Sequence, residues 1–171
     1  MSDTEITHVQ ITAGTPAARL AVALAAVHAA RGETIRTLRL EDVDFSKERI
    51  TIDGNVQLTG AITRAALRSW LTERRTRWPH TLNRYVLLSR QTANGTSPVS
   101  AYFLNRQLTP HGVSSDRVRA GRVLGEALAT GADPLHLTAI FGLSETTAVK
   151  YAPLARQRLN EPTGQEPCRA P

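Results

Sequence analysis

The sequence predicts an α+β domain that is mainly α-helical and contains one small antiparallel hairpin. Apolar residues recur at helical spacing over most of the chain. Clear strand-like alternation occurs over 49–52, and the turn pair Asp53-Gly54 follows it directly. The chain has no regular series of alternating strands and helices, so the sequence does not predict a doubly wound parallel sheet.

The composition is that of a globular domain with a positive charge. The chain has 171 residues, of which 41% are hydrophobic and 21% charged, which is enough for one domain with a core. Its net charge of +6 favours a polyanionic partner, most commonly nucleic acid, unless the charge only serves solubility. Only Lys47 and Lys150 among the 21 basic residues are lysines. Arginine can donate two parallel hydrogen bonds to phosphate oxygens, so an excess of arginine over lysine favours a phosphate-bearing partner. Genome base composition can produce the same excess.

Several classes of site are excluded by the residues present. Cys168 is the single cysteine, so the chain can form neither an internal disulfide nor a multi-cysteine metal site. The histidines show no ligand spacing, and we expect no metal and no cofactor. No apolar run approaches about 18 residues and no signal pattern is present, which predicts a cytoplasmic protein without a membrane partner.

The first half of the chain predicts two helices before the hairpin. Thr15 and Pro16 open the first by the rule of a cap followed by proline, and it runs to about residue 30. A short helix covers 33–40, and the second strand of the hairpin covers 56–58. The residues predicted to face inward from the two helices are Leu20, Leu24, Val27, Ile35 and Leu38.

A long helix over 61–78 follows the hairpin, and then a short buried strand over 85–89 and a helix over 98–108. The long helix carries an arginine cluster, interpreted as a solvated face or, alternatively, a surface that follows phosphates. The cluster consists of Arg64, Arg68, Arg74, Arg75 and Arg77. We predict an N-terminal extension over 1–14, one domain over 15–159 and a disordered tail over 160–171.

The last third predicts a helix from Ser114 or Ser115 and then a two-helix unit over 133–151. Asp133 caps the first helix of the unit, and Gly142 ends it in the left-handed conformation. Val149 is predicted to point back toward that first helix. In a basic chain this unit indicates contact with DNA, and the alternative is a helical corner that only packs a core.

Three stretches resemble the active-site blocks of the tyrosine recombinase, or phage integrase, family. Arg31, followed by a short helix and a hairpin, is similar to the first block. The stretch 112–119 is similar to the second, with Arg119 at its arginine, and 140–151 to the last, with Tyr151 at the nucleophile. The resemblance covers roughly 15–159 and implies an integrase-like catalytic domain. The family usually places a separate DNA-clamping domain before it, and we expect that domain to be lacking here.

The resemblance implies a chemistry that this chain matches incompletely. In the family a tyrosine attacks a DNA phosphodiester, two arginines neutralise the phosphate, and histidines with a hairpin lysine move protons. Here Asp116 stands in place of the second-block histidine, Leu143 in place of the last histidine, and 53–59 holds no lysine. We therefore predict weak or lost activity. The predicted catalytic set is Tyr151, Arg31, Arg119 and Asp116.

The leading functional hypothesis is a DNA-binding, recombinase-like protein of DNA integration that acts on double-stranded DNA. Its predicted DNA contacts are Arg117, Arg122, Lys150 and Arg156. One alternative is a helix-turn-helix transcriptional regulator that reads DNA with 144–155. Another is a module that pairs with a full-length recombinase or with itself. At single residues, Arg31 as a helix cap and Tyr151 as a core tyrosine remain alternatives.

Overall fold

The first helix, α1, runs through the middle of the fold and is buried on nearly every side. The computed structural model describes residues 14–108, 115–131 and 133–160, without the side chains of residues 115, 152 and 154–160. Helix α1 spans Pro16–His28, and the N–H of Ala18 donates to Thr15 Oγ1 at 3.1 Å. Its residues from 20 to 26 are all buried, as expected of a helix that is apolar all round.

The remaining elements confirm the α+β class, with helices around one small antiparallel sheet of strand order β1-β2-β3. After α1 come α2 (Gly32–Thr37), a 3₁₀ turn (Leu40–Asp42), β1 (Val43–Asp44), β2 (Arg49–Ile52), β3 (Asn55–Leu58), α3 (Ala61–Arg77), α4 (Ala101–Leu108), α5 (Ser115–Ala129), α6 (Pro134–Phe141) and α7 (Glu145–Asn160).

The hairpin forms at the predicted turn. Asp53 and Gly54 have φ of 49° and 81°, the two positive values that a tight two-residue hairpin turn requires. Ile52 pairs with Asn55 across the turn. Ile50 and Ile52 are buried beneath the sheet, whereas Val56 and Leu58 on its other face are exposed.

The predicted strand over 85–89 is wrong, although its residues are buried as expected. Tyr85 makes only an isolated bridge with Arg39, and Val86 donates its N–H to the carbonyl of Leu38 at 2.8 Å. The carbonyl of Val86 accepts from the indole of Trp70 at 2.7 Å. A loop and a side chain thus satisfy this backbone, which is why an apolar run can be buried outside a sheet.

The buried Arg74 corrects the prediction that all the arginines of α3 lie on a solvated face. Its side chain is 7% exposed, and Nη2 donates to the carbonyl of Asn83 at 2.5 Å. Asn83 is itself buried and donates to the carbonyls of Thr92 and Ser97. Arg74 therefore helps to hold the loop after α3, a structural role that periodicity does not reveal.

The C-terminal helices build a second apolar cluster beside the main core, and Leu137 and Phe141 of α6 belong to it. The predicted caps are confirmed. Asp133 Oδ1 accepts from the N–H of Leu135 at 2.9 Å, and Gly142 has φ of 58°. The expectation for Val149 is wrong, because its side chain is 56% exposed and the neighbouring Ala148 is buried instead.

Candidate functional site

Arg119 is the centre of the candidate site. It lies on α5, half-buried, and its Nε donates to the carbonyl of Ala29 at 2.6 Å. Ala29 follows α1 in the left-handed conformation, where helix carbonyls lack a partner within the helix. This bond fixes the guanidinium at the end of α1. The four N–H groups on its terminal nitrogens donate to no group in the described part of the chain.

Ionisable groups from three other segments and from its own helix lie near Arg119. Burial lowers the pKa of Arg119 most, and the nearby Arg31 guanidinium lowers it further. Tyr151, Asp53 and Asp116 act in the opposite direction on that pKa. The other three residues of the predicted catalytic set, Arg31, Asp116 and Tyr151, therefore each lie within electrostatic reach of Arg119, although Arg31 precedes α2 and Tyr151 lies on α7.

Arg31 is exposed and precedes the first residue of α2. Its side chain makes no capping hydrogen bond to α2, so the alternative role as a helix cap is not seen. Within the described ranges the side chain of Arg31 forms no hydrogen bond or ion pair, although its backbone carbonyl accepts from the N–H of Ile35 at 2.9 Å. A cation without a partner, held beside a second cation, produces a local positive potential that an anion would relieve.

Tyr151 lies on α7, half-buried, and packs against the second apolar cluster. It is both the core tyrosine and the residue beside Arg119, so the two interpretations of the sequence do not exclude each other. The ring is held by packing, and its electrostatic effect on Arg119 places the phenol at the same site.

Asp53 is a member of the site that the sequence interpretation missed. The turn pair drew attention to its backbone, whereas its carboxylate acts on Arg119 from the tip of the hairpin. Thr34 Oγ1 donates to Asp53 Oδ1 at 2.6 Å and holds it there. The sequence did contain a clue to Asp53. The resemblance implies a lysine on this hairpin, and the chain has Asp53 at the hairpin tip and no lysine in 53–59.

Comparison with solved structures identifies the architecture around this site. Six chains match, and one of them is described as the crystal structure of XerA recombinase. That match has a TM-score of 0.73 at 18% sequence identity and covers 93% of this chain. The chain has an integrase-like fold. It spans 63% of the XerA chain. No protein-family model and no curated protein matches the sequence.

Within the integrase-like fold, the four predicted DNA contacts differ in whether their side chains are exposed or already bonded to other residues. Arg117 and Lys150 are exposed. Arg122 is engaged, since Nη1 donates to Glu126 Oε2 at 2.7 Å and its guanidinium lies 5.4 Å from the centre of the Phe141 ring. Arg156 lies on α7, and its side chain is outside the described part of the structure.

A buried polar chain connects the hairpin to helices on either side of the integrase-like fold. His28 Nδ1 lies 2.8 Å from Gln57 Oε1, and His28 Nε2 lies 3.0 Å from Thr63 Oγ1. Gln57 Nε2 donates to the carbonyl of Ile140 at 3.3 Å. These bonds join α1, β3, α3 and α6, and they fix the hairpin that carries Asp53 relative to α1, after which the carbonyl of Ala29 holds Arg119.

The described residues contain neither a metal-binding cluster nor a helix that could cross a membrane. Among them, no group of three or more histidine, cysteine, aspartate or glutamate residues is placed to hold a metal ion. No helix in these ranges is both long enough and apolar enough to cross a membrane.

Proposed function

We propose that this chain binds double-stranded DNA and seats a backbone phosphate between Arg31 and Arg119. The observation that carries the proposal is that the half-buried Arg119, fixed on the carbonyl of Ala29, has a second arginine, Arg31, as a charged neighbour. Like charges held together destabilise a protein unless an anion joins them. The integrase-like fold supports this assignment, because a recombinase of that fold is among the matches.

Arg119 is suited to the task because it is already oriented. Its Nε is fixed on the carbonyl of Ala29, which leaves the two terminal nitrogens for a forked pair of bonds to phosphate oxygens. Less side-chain entropy is then lost on binding than for a mobile cation. Arg31, exposed and unpaired among the described residues, supplies the second charge.

We further propose that strand cleavage through Tyr151 is weak or absent. Asp116 and Asp53 lie near Arg119, and each carboxylate repels a phosphate by about 1–4 kcal/mol at a separation of ~4 Å in dielectrics from water to the protein surface. Leu143, in place of a histidine, is 2% exposed and has no proton to exchange. Loss of a general acid or base costs about 10²–10⁴ in rate.

The test of binding is a duplex DNA titration across a range of salt concentrations. We expect the affinity to fall steeply as salt rises, because bound cations release counterions from the DNA. Arg31→Ala and Arg119→Ala should both weaken binding and reduce the salt slope by about one. Arg68→Ala is the matched control, since Arg68 is exposed on α3 and absent from the site. Equal losses in all three variants would reject the proposed phosphate seat.

The test of cleavage is a nicked suicide duplex that traps a covalent protein–DNA adduct. We expect little or no adduct, and Tyr151→Phe should bind duplex as the native chain does. An abundant adduct that Tyr151→Phe abolishes would show an active recombinase and would contradict the proposed loss of activity.

The second candidate function is a helix-turn-helix regulator, which is favoured by the exposed face of α7 at Val149 and Lys150. In a regulator, Lys150→Ala together with Arg156→Ala should relax the choice of DNA sequence, while Arg31→Ala should have no effect. In the proposed phosphate seat, Arg31→Ala weakens binding to all duplexes alike. A competition assay with two unrelated duplexes separates the two functions.

A third proposed function is association with a second copy of this chain or with a full-length recombinase. Sizing the protein alone and with duplex DNA tests self-association, and a single monomeric species under both conditions would reject it.

A further inference from the structure

A cavity of about 630 Å³ lies at the end of α1 opposite to Ala29. It is lined by the start of α1 at Thr15 and Pro16, by the end of α3 and by α4. Since α1 has 13 residues and a helix rises 1.5 Å per residue, about 20 Å separates this cavity from the bond between Arg119 and Ala29. The volume falls in the range of sites for small ligands, about 300–1,000 Å³.

Aromatic rings form much of the cavity wall. Trp70 and Trp78 meet edge to face with centroids 6.4 Å apart, and Tyr102 and Phe103 line the wall from α4. Trp70 is 2% exposed, with its indole N–H bonded to the carbonyl of Val86, so it supports Trp78 from behind, and Trp78, Tyr102 and Phe103 are the more accessible rings. Tyr102 is 74% exposed, unusually high for an aromatic side chain that stands beside a cavity.

Positive charge is in excess around the same cavity. Arg77, Arg90 and Arg106 line it, against the single carboxylate of Glu73. Arg77 Nε already lies 3.1 Å from Glu73 Oε1 in an ion pair. Arg90 and Arg106 are exposed, and their side chains have no hydrogen bond or ion pair to any residue that the structure describes.

We propose that this cavity binds a nucleotide, with its base against the aromatic wall and its phosphate between Arg90 and Arg106. Flat rings favour a stacked base, and two free guanidinium groups favour the oxygens of a phosphate. A neutral aromatic ligand would leave the arginines unused, and inorganic phosphate would leave the aromatic wall bare. The nucleotide is either free or the end of a single DNA strand, since both offer a base and a phosphate.

Tryptophan fluorescence reports on this cavity alone, because the chain has two tryptophans and both line it. Titration of the full chain with adenosine monophosphate should give a saturable change in emission. Adenosine should bind at least tenfold more weakly, since it lacks the phosphate, and inorganic phosphate should compete with the nucleotide. No saturable change, or equal binding of adenosine and its monophosphate, would overturn the proposal.

Variants separate the two halves of the proposed site. Arg90→Ala with Arg106→Ala should reduce binding of the nucleotide to the level of adenosine, while Tyr102→Ala should weaken both ligands. All three side chains are exposed, so the fold should tolerate these changes. Arg68→Ala, outside the cavity, should bind as the native chain does. A loss in Arg68→Ala equal to that in the double variant would overturn the assignment of the phosphate site.

The source of the nucleotide follows from a parallel titration with a 5′-phosphorylated single-stranded oligonucleotide. Tighter binding of the oligonucleotide assigns the cavity to a strand end, and tighter binding of the monophosphate assigns it to a free nucleotide. The result is independent of the proposed duplex site, because Arg31→Ala should abolish neither fluorescence response.

Discussion

His28 is a buried histidine with both ring nitrogens in use. It is 2% exposed, lies within hydrogen-bonding distance of Gln57 and Thr63, and has Arg122 as a charged neighbour. A neutral ring suits both contacts, with Nδ1–H donating to Gln57 Oε1 and Nε2 accepting from the Thr63 hydroxyl. The sequence showed only that His28 lacks the spacing of a metal ligand, so this structural role was not predicted.

The state of His28 predicts a dependence of stability on pH. Burial lowers the pKa of His28 most, the nearby Arg122 lowers it further, and the bond to Gln57 opposes both effects. The unfolded chain therefore takes up a proton first as pH falls. The free energy of unfolding should be highest above the unfolded pKa of about 6.5 and should decline as pH falls from there toward the folded pKa.

Denaturant titrations between pH values of about 7.5 and 5.5 measure this decline, since the window spans the unfolded pKa. His28→Asn keeps an amide donor for Gln57 and removes the titrating group, so its stability should change less with pH than that of the native chain. His80→Asn is the control, because His80 is exposed. If the free energy of unfolding of His28→Asn changes with pH as steeply as that of the native chain, another group causes the pH dependence.

At the scale of elements, Gly142 joins α6 to α7 and also contacts the hairpin. Its φ of 58° favours glycine, and a Cβ at this position would collide with Nδ2 of Asn55. The hairpin tip therefore packs directly against the turn between the two C-terminal helices. Sequence rules predicted the turn, whereas the contact with Asn55 joins residues far apart in the chain.

Two matched glycine variants separate these effects. Gly131 has φ of 69° and open space around its Cα, so Gly131→Ala should cost only the left-handed penalty of about 1–2 kcal/mol. Gly142→Ala should cost more, because the side chain of Asn55 must also move. Thermal unfolding measures both. The extra cost should disappear when Asn55→Ala accompanies Gly142→Ala, and its persistence would place the strain elsewhere.

Helices and the hairpin were predictable because caps, turns and periodicity are local signals. Thr15, Asp133 and Gly142 each confirm such a rule. The failures occurred where a distant partner decides the outcome. Arg74 is buried because the loop carbonyl of Asn83 accepts from it, and 85–89 is not a strand because the Trp70 indole satisfies one of its carbonyls. Asp53 lies near Arg119 because of tertiary packing, which no local sequence pattern indicates.

At the scale of the whole molecule, an integrase-like fold places two arginines, a tyrosine and two carboxylates at one site. The net charge of +6 attracts DNA from a distance, whereas Asp53 and Asp116 repel phosphate near Arg119. The overall charge and the local charge thus act in opposite directions. Removal of one local carboxylate should therefore strengthen duplex binding if the proposed phosphate seat is correct.

Asp116→Asn tests this opposition against Glu145→Gln as a control. Both residues are acidic, lie in the first turn of a helix and are exposed, so each substitution raises the net charge by one unit and loses a similar helix-dipole contribution. Of these two residues, Asp116 acts on Arg119 and Glu145 does not. We expect Asp116→Asn to bind duplex DNA several-fold more tightly than Glu145→Gln at low salt, with the difference shrinking as salt screens the charges. Equal affinities at low salt would show that the phosphate lies away from Arg119, since a carboxylate beside the phosphate must affect its binding.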